Sequence, residues 1–278
     1  MLKREAKPMQ NKLGCSTHSY GKFGLERALD GISKCGLKYV ELAAISGHTD
    51  HVVPEQMSDS DYTALNGSLA DRGLEAISVS GHCDPTKEGS LDLLRNRIIL
   101  ANKVGAEFVN TLAGHPHTAE ETDALFARMR EMGDFAAKQG VTICFETHGG
   151  IMGKSLDCRR TIETIDHPNI RINYDPANII YFIGDRPEQD VHGVLGLISH
   201  FHIKDKIGGP NEWNFPAIGT GTIDFRKVIG PVMASGYDGP FSFELEFTPD
   251  GLPTPEDVDL ALMQSIAYIK GIAKENGW

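Results

Sequence analysis

Four runs in the second half of the chain alternate apolar and polar residues with a period of two: Val141–Glu146, Ile170–Asp175, His200–Lys204 and Phe241–Phe247. Successive side chains of a strand point to opposite faces, so each run splits by parity. One face collects Val141, Ile143, Phe145, Ile170, Ile172, Tyr174, Phe201, Ile203, Phe241, Phe243, Leu245 and Phe247. The other collects Thr142, Cys144, Glu146, Arg171, Asn173, Asp175, His200, His202, Lys204, Ser242, Glu244 and Glu246. Segments of helical period separate the runs. Strands joined that way are parallel, and parallel sheets have both faces covered. A covered face rich in Glu, Asp and His suits the mouth of a barrel, where charges pair or bind a metal.

The first half repeats the same unit. Strands are expected at Leu13–Ser16, Lys38–Leu42, Leu74–Ser80 and Phe108–Thr111. Helices are expected at Leu25–Cys35, Ser60–Arg72, Ser90–Val104 and Ala119–Gln139, each stopped by a glycine: Gly36, Gly73, Gly105 and Gly140. Glycine is favoured just past a helix end because it takes the left-handed conformation without steric cost. Further helices are expected near Leu156–Ile165, Pro187–Leu197, Phe225–Ser235 and Pro255–Asn276. Eight strand–helix units predict an α/β fold, a single (β/α)8 TIM barrel over residues 12–278 behind a mobile N-terminal tail of residues 1–11. The rival, an open doubly wound sheet, would carry GxGxxG after its first strand, and none is there.

Composition narrows the function. The formal charge is −11, from 27 basic against 38 acidic residues, which counts against nucleic acid as a partner. No run is apolar and long enough to span a membrane, and Met1–Pro8 lacks the apolar stretch of a signal peptide. The five cysteines (Cys15, Cys35, Cys83, Cys144, Cys158) are scattered, without CxxC spacing, and read as reduced thiols of a cytoplasmic protein. A homo-oligomer is left open.

Barrel sites lie at the C-terminal ends of strands. Glu146, Asp175, His202 and Glu244 fall there with inward parity. Taken singly, each glutamate reads equally well as a salt-bridged surface residue. Together they would repel one another unless a cation joined them, and three carboxylates with an imidazole suit one divalent metal ion such as Mn²⁺, Mg²⁺ or Zn²⁺. His18, His82, His115 and His148 closely follow strands 1, 3, 4 and 5, and Glu41 and Lys204 share the inward parity. A lone histidine in a loop is usually only hydrogen-bonded, but four aimed at one mouth read as substrate contacts. Lys204 either holds a substrate oxyanion or phosphate or pairs with a neighbouring carboxylate. Trp213, in the long segment after strand 7, shields the mouth from water or anchors its own loop. The Gly219–Gly221 stretch reads as a tight turn, with Asp224 as the N-cap of the next helix.

The order Glu146, Asp175, His202-Ile-Lys-Asp205 and Glu244, with Gly219-Thr-Gly-Thr-Ile-Asp224 between the last two, resembles the xylose-isomerase-like TIM barrels. That group includes sugar isomerases, ketose 3-epimerases, inosose dehydratase and endonuclease IV. The resemblance covers essentially the whole chain. It implies a single divalent metal, with Mn²⁺ expected first and Co²⁺ among the alternatives, on Glu146, Asp175, His202 and Glu244. It also implies that the two glutamates shuttle protons. The chain departs from ketose 3-epimerases at Asn178, where those have His, and at Gly208, where they have Arg. Asn178 also stands in place of an endonuclease IV ligand, and Pro210–Asn214 lacks that enzyme's His. The His202–Asp205 run is most similar to the dehydratase branch.

The expected activity is that of a metal-dependent sugar isomerase or epimerase, abstracting a proton next to a carbonyl through a metal-stabilised enediolate. The alternative is a lyase of the same group, an inosose dehydratase or a 3-keto-glycoside β-eliminating enzyme. A small sugar or polyol derivative is the expected substrate, touched by His148, Lys204, His18, Glu41, His82, His115, Asn178 and Trp213. The rival outside enzymology is a sugar-binding barrel.

Overall fold

The computed structural model describes residues 11–277. Eight parallel strands close into a barrel in chain order. They are β1 (Leu13–Ser16), β2 (Tyr39–Ala43), β3 (Glu75–Ser80), β4 (Phe108–Thr111), β5 (Thr142–Glu146), β6 (Ile170–Tyr174), β7 (Ile198–Ile203) and β8 (Phe241–Phe243). β1 and β8 complete the ring, with Leu13 opposite Phe241 and Cys15 opposite Phe243. The outer layer comprises α1 (Leu25–Lys34), α2 (Asp59–Asp71), α3 (Ser90–Val104), α4 (Ala119–Lys138), α5 (Ser155–Ile165), α6 (Pro176–Asn178), α7 (Pro187–Asp190), α8 (Phe225–Ala234) and α9 (Pro255–Asn276). No helix among the described residues is long and apolar enough to cross a membrane.

Local chemistry sets the helix limits. Ser58 with Asp61 and Thr254 with Asp257 form capping boxes at the starts of α2 and α9, satisfying otherwise orphaned N–H groups. Gly105 ends α3 at φ 75°, a conformation costly for any residue with a Cβ. The outward-facing strand residues Val40, Val79, Val109, Ile143, Ile172, Phe201 and Phe243 are buried under these helices. The inward face is polar. Ser78, Asn110, Asn173, His200 and Ser242 are all fully buried in the barrel interior. All but Ser242 are knitted together, by bonds such as His200 Nδ1 to Asn173 Oδ1 (2.9 Å) and Ser78 Oγ to Glu41 Oε2 (2.8 Å). A polar interior of this kind is stable only when its members satisfy one another.

Four expectations change. Of the expected tail, residues 1–10 lie outside the described residues, while Asn11 is tied down, its Nδ2 donating to Gly239 O at 2.6 Å. The helix expected over Pro187–Leu197 stops at Asp190 and tightens to 3-10 geometry over Val191–Val194. Gly193, Gly196 and the two valines are weak helix formers there. The strand expected over Phe241–Phe247 leaves the ladder after Phe243. Leu245 N–H then donates to Ser19 Oγ (2.8 Å), and Phe247, at φ 58°, exchanges backbone bonds with Phe215. Finally, Asp224 stands at the N-cap of α8 as expected, but its side chain makes no capping hydrogen bond and pairs with Lys227 at 2.9 Å.

Candidate metal centre

Four strand ends deliver the expected ligand set. Glu146 is the last residue of β5, Asp175 follows β6, His202 lies in β7 and Glu244 follows β8, held by its N–H to Ile203 O (3.1 Å). All are at most 4% exposed, and one donor atom from each lies within 4.8 Å of the others. The local backbone explains the aim of Asp175. Pro176 opens α6, and Asp175 Oδ1 accepts the N–H groups of Ala177 (2.8 Å) and Asn178 (3.2 Å), which leaves Oδ2 pointing into the cluster. Asp175 Oδ2 accepts no hydrogen bond, although it is buried.

Charge in the cluster is balanced by two cations. His202 donates Nδ1–H to Glu146 Oε1 (2.6 Å) and Nε2–H to Glu41 Oε1 (3.0 Å). Burial opposes its charge, but Glu244 and Glu41 raise its pKa well above the usual imidazole value. Lys204 Nζ lies 3.1 Å from Glu244 Oε2 and 3.6 Å from Asp175 Oδ2, and also pairs with Glu246. Burial favours neutral carboxyls at Glu146 and Glu244. Over Glu146 it is outweighed by His82 and His202, and over Glu244 by His202 and Lys204, so both stay ionised. Asp175 is the exception. Burial, reinforced by Glu146 and Glu244, pushes its carboxyl up to about 8 despite Lys204. A hard or borderline oxygen–nitrogen donor set, with one buried carboxylate oxygen left without a donor, fits a divalent cation.

Most of the expected substrate contacts gather on one cavity of about 260 Å³ above this cluster: His18, His82, His148, Asn178, Lys204 and Trp213 all line it. His82 donates Nε2–H to Glu146 Oε2 (2.9 Å), and His18 donates Nε2–H to Glu246 Oε1 (2.9 Å) while Thr49 holds its Nδ1 (2.7 Å). His148 Nδ1 and Asn178 Nδ2 are buried without hydrogen-bond partners. The His148 ring packs on Phe182, with centroids 4.1 Å apart.

Two expected contacts are corrected. Glu41 does not reach the cavity: it is fully buried beneath His202, bonded by Ser78 and Asn110. His115 is exposed, does not line the cavity, and packs on Gly150 beside a smaller crevice that shares Leu112, Glu146 and His148 with it. The sequence reading also passed over residues that line the cavity. Glu246 had the signal, since it shares the parity of Glu244 two residues earlier. His48, Tyr181 and Phe182 had none. Tyr181 and Phe182 lie on a π-helical turn, Ile179–Ile183, that no periodicity announced. The glycines at 219 and 221 have a further role: their N–H groups, with those of Lys206 and Ile223, converge on the buried carboxylate of Asp205.

Known proteins agree with this architecture. The chain is 28% identical over 171 residues to inosose dehydratase of Geobacillus thermodenitrificans (strain NG80-2), covering 56% of this chain and 57% of that enzyme. The chain thus spans a little over half the length of that relative. It is 26% identical over 247 residues to the L-ribulose-5-phosphate 3-epimerase UlaE of Salmonella heidelberg (strain SL476), covering 79% and 85% of the two chains. In fold it matches a xylose isomerase domain protein from Planctomyces limnophilus at a TM-score of 0.79 and 18% identity, over 97% and 99% of the two chains. The family model of the xylose isomerase-like TIM barrel matches residues 29–269. With eight strands closed in chain order and the acidic cluster at their C-terminal ends, the chain belongs to the xylose isomerase-like TIM barrel family.

Proposed function

We propose that this protein is a divalent-metal-dependent carbohydrate enzyme that removes a proton from the carbon beside a carbonyl, giving isomerisation or epimerisation. The observation that carries the reading is the meeting of Glu146, Asp175, His202 and Glu244 at the floor of the 260 Å³ cavity, with Asp175 Oδ2 free of any donor. Those four residues would hold the ion, Mn²⁺ by preference, with Mg²⁺, Zn²⁺ and Co²⁺ also suited to the donors. When bound, the ion polarises a carbonyl and so acidifies the C–H next to it.

The chain's own groups supply the rest. Glu146 and Glu244 border the cavity and are ionised, so either can accept the proton. That same carboxyl, now protonated, can return it to a neighbouring carbon in isomerisation, whereas epimerisation requires the opposite carboxyl to enter the turnover carrying a proton. Lys204, fixed beside Glu244, offers its ammonium to negative charge growing on the substrate. His148 Nδ1 and Asn178 Nδ2, which lack protein partners, suit sugar hydroxyls. Trp213, Phe182 and Phe215 form an aromatic rim that keeps water from the reacting carbon.

A second reading, a lyase, is favoured by the likeness to inosose dehydratase. The same abstraction then leads to loss of the oxygen on the next carbon. Protein reconstituted with Mn²⁺ should exchange the α-proton of a ketose or keto-glycoside in D₂O, and should stop when the metal is removed. Tight sugar binding without exchange across such a panel would make this a sugar-binding barrel instead.

A further inference from the structure

A second hollow, of about 460 Å³, adjoins the cavity, and His18, His48, Trp213 and Glu246 line both. The two differ in chemistry. The smaller is bordered by His82, Glu146, His148, Lys204 and Glu244. The larger has none of these, and its walls include Phe23, Leu245, Phe247, Pro249 and Leu252, from the β1–α1 and β8–α9 connections, and Val258 in the first turn of α9. Ligand pockets range over about 300–1,000 Å³, so the smaller hollow suits one sugar ring and the larger has room for a further group.

Cations in the two hollows are few. Neither is lined by arginine. Lys204 is surrounded by Glu244, Asp175 and Glu246, so its single charge can meet a partial charge growing on a substrate oxygen but cannot balance a dianion as well. Lys22, the other lysine, is exposed and lies along Gly251, in a hollow that also holds Glu246. A phosphate dianion needs charge-assisted donors, preferably a fork of them, and would meet carboxylates here.

We propose that the larger hollow binds an apolar, ring-sized substituent, so that the substrate is an unphosphorylated carbohydrate carrying such a group, a glycoside with an apolar aglycone. A glycosidic bond locks the anomeric carbon, so the carbonyl that acidifies the C–H is then a ring ketone. The inference rests on the function proposed above in one respect, that chemistry occurs in the smaller hollow.

The test compares four compounds on the Mn²⁺-loaded protein: a keto-hexose, its phosphate ester, and the methyl and phenyl glycosides of a hexopyranose bearing a ring ketone. Burying a phenyl ring should raise kcat/KM for α-proton exchange by about tenfold or more over the methyl glycoside. The phosphate ester should be the poorest. Leu252→Trp, which fills the hollow, should bring the phenyl and methyl glycosides level, and Leu252→Ala should keep a phenyl preference. Equal rates in the parent, a phenyl preference untouched by Leu252→Trp, or a best rate with the phosphate ester would overturn the proposal. Calorimetry of the same two glycosides on metal-free protein reads the hollow without chemistry. If no compound exchanges, the proposed function fails, and the hollow is judged by whether the phenyl glycoside binds more tightly and loses that advantage in Leu252→Trp.

Discussion

Replacing Asp175 with asparagine should stabilise the metal-free protein while abolishing its hold on a divalent cation. Asp175 is fully buried, and its Oδ2 has no donor, with Lys204 Nζ 3.6 Å away. Burial, with the charges of Glu146 and Glu244, moves its carboxyl from 3.8 to about 8. A folded pKa above the unfolded one makes the ionised form a penalty that is absent below about pH 4, grows as pH rises and is complete above about pH 8. At about 1.4 kcal/mol per pH unit, the interval from 3.8 to neutral pH costs on the order of 4 kcal/mol. Asparagine keeps the Oδ1 acceptor that caps α6 and removes the charge, at a cost of ~1–3 kcal/mol for turning a buried amide NH2, a donor, toward the Lys204 ammonium 3.6 Å away. The net gain of ~1–3 kcal/mol corresponds to a Tm higher by roughly 2–12 °C for a chain of this size. Thermal unfolding of chelator-treated protein at pH 5 and pH 8 reads the effect, and the gap between variant and parent should widen at the higher pH. Calorimetry with Mn²⁺ should show no binding to the variant. A variant less stable than its parent at pH 8, or one that binds Mn²⁺ as the parent does, would refute the reasoning.

Glu244→Gln should lower metal-dependent α-proton exchange by about 10²–10⁴-fold, and exchange within threefold of the parent would exclude Glu244 as an acid–base group. Glu41→Gln removes the carboxylate 3.0 Å from His202 Nε2 and should weaken Mn²⁺ binding by about 10–100-fold in calorimetry, without loss of fold by circular dichroism. An unchanged affinity would show that Glu41 does not orient the ligand. Asp205→Ala strands four backbone N–H groups, two of them buried, should cost ~2 kcal/mol or more, and should open residues 206–223 to limited proteolysis before the rest of the chain. Uniform cleavage would count against that local role.

Periodicity and glycine stops made much of the barrel legible. α3 and α9 and the short strands β1 and β4 run over the residues expected of them, because caps such as Gly105 and the Thr254–Asp257 box are local signals. Parity likewise grouped Glu146, Asp175, His202 and Glu244, which the structure brings together. Parity gives a face and no depth along the barrel axis. That is why Glu41 looked like a substrate contact when it lies a layer below, and why Glu246 was passed over. Contacts made across long sequence separations left no trace. The pull of Ser19 and Phe215 on the segment after β8 is one; the π-helical turn carrying Tyr181 and Phe182 is local, but its i→i+5 spacing matches neither the helix nor the strand period.

The carboxylate of Asp205 grips its loop entirely through main-chain N–H groups, at Lys206, Gly219, Gly221 and Ile223. Apart from the glycines at 219, where φ is 89° and a Cβ would fall 2.6 Å from the Tyr268 ring, and at 221, where a Cβ would fall 2.2 Å from Asp205 Oδ1, the clamp is indifferent to which side chains the loop bears. The segment it holds carries Trp213 and Phe215, which wall the cavity. Mutational drift can therefore retailor the cavity wall residue by residue, while the anchorage of the loop is inherited unchanged.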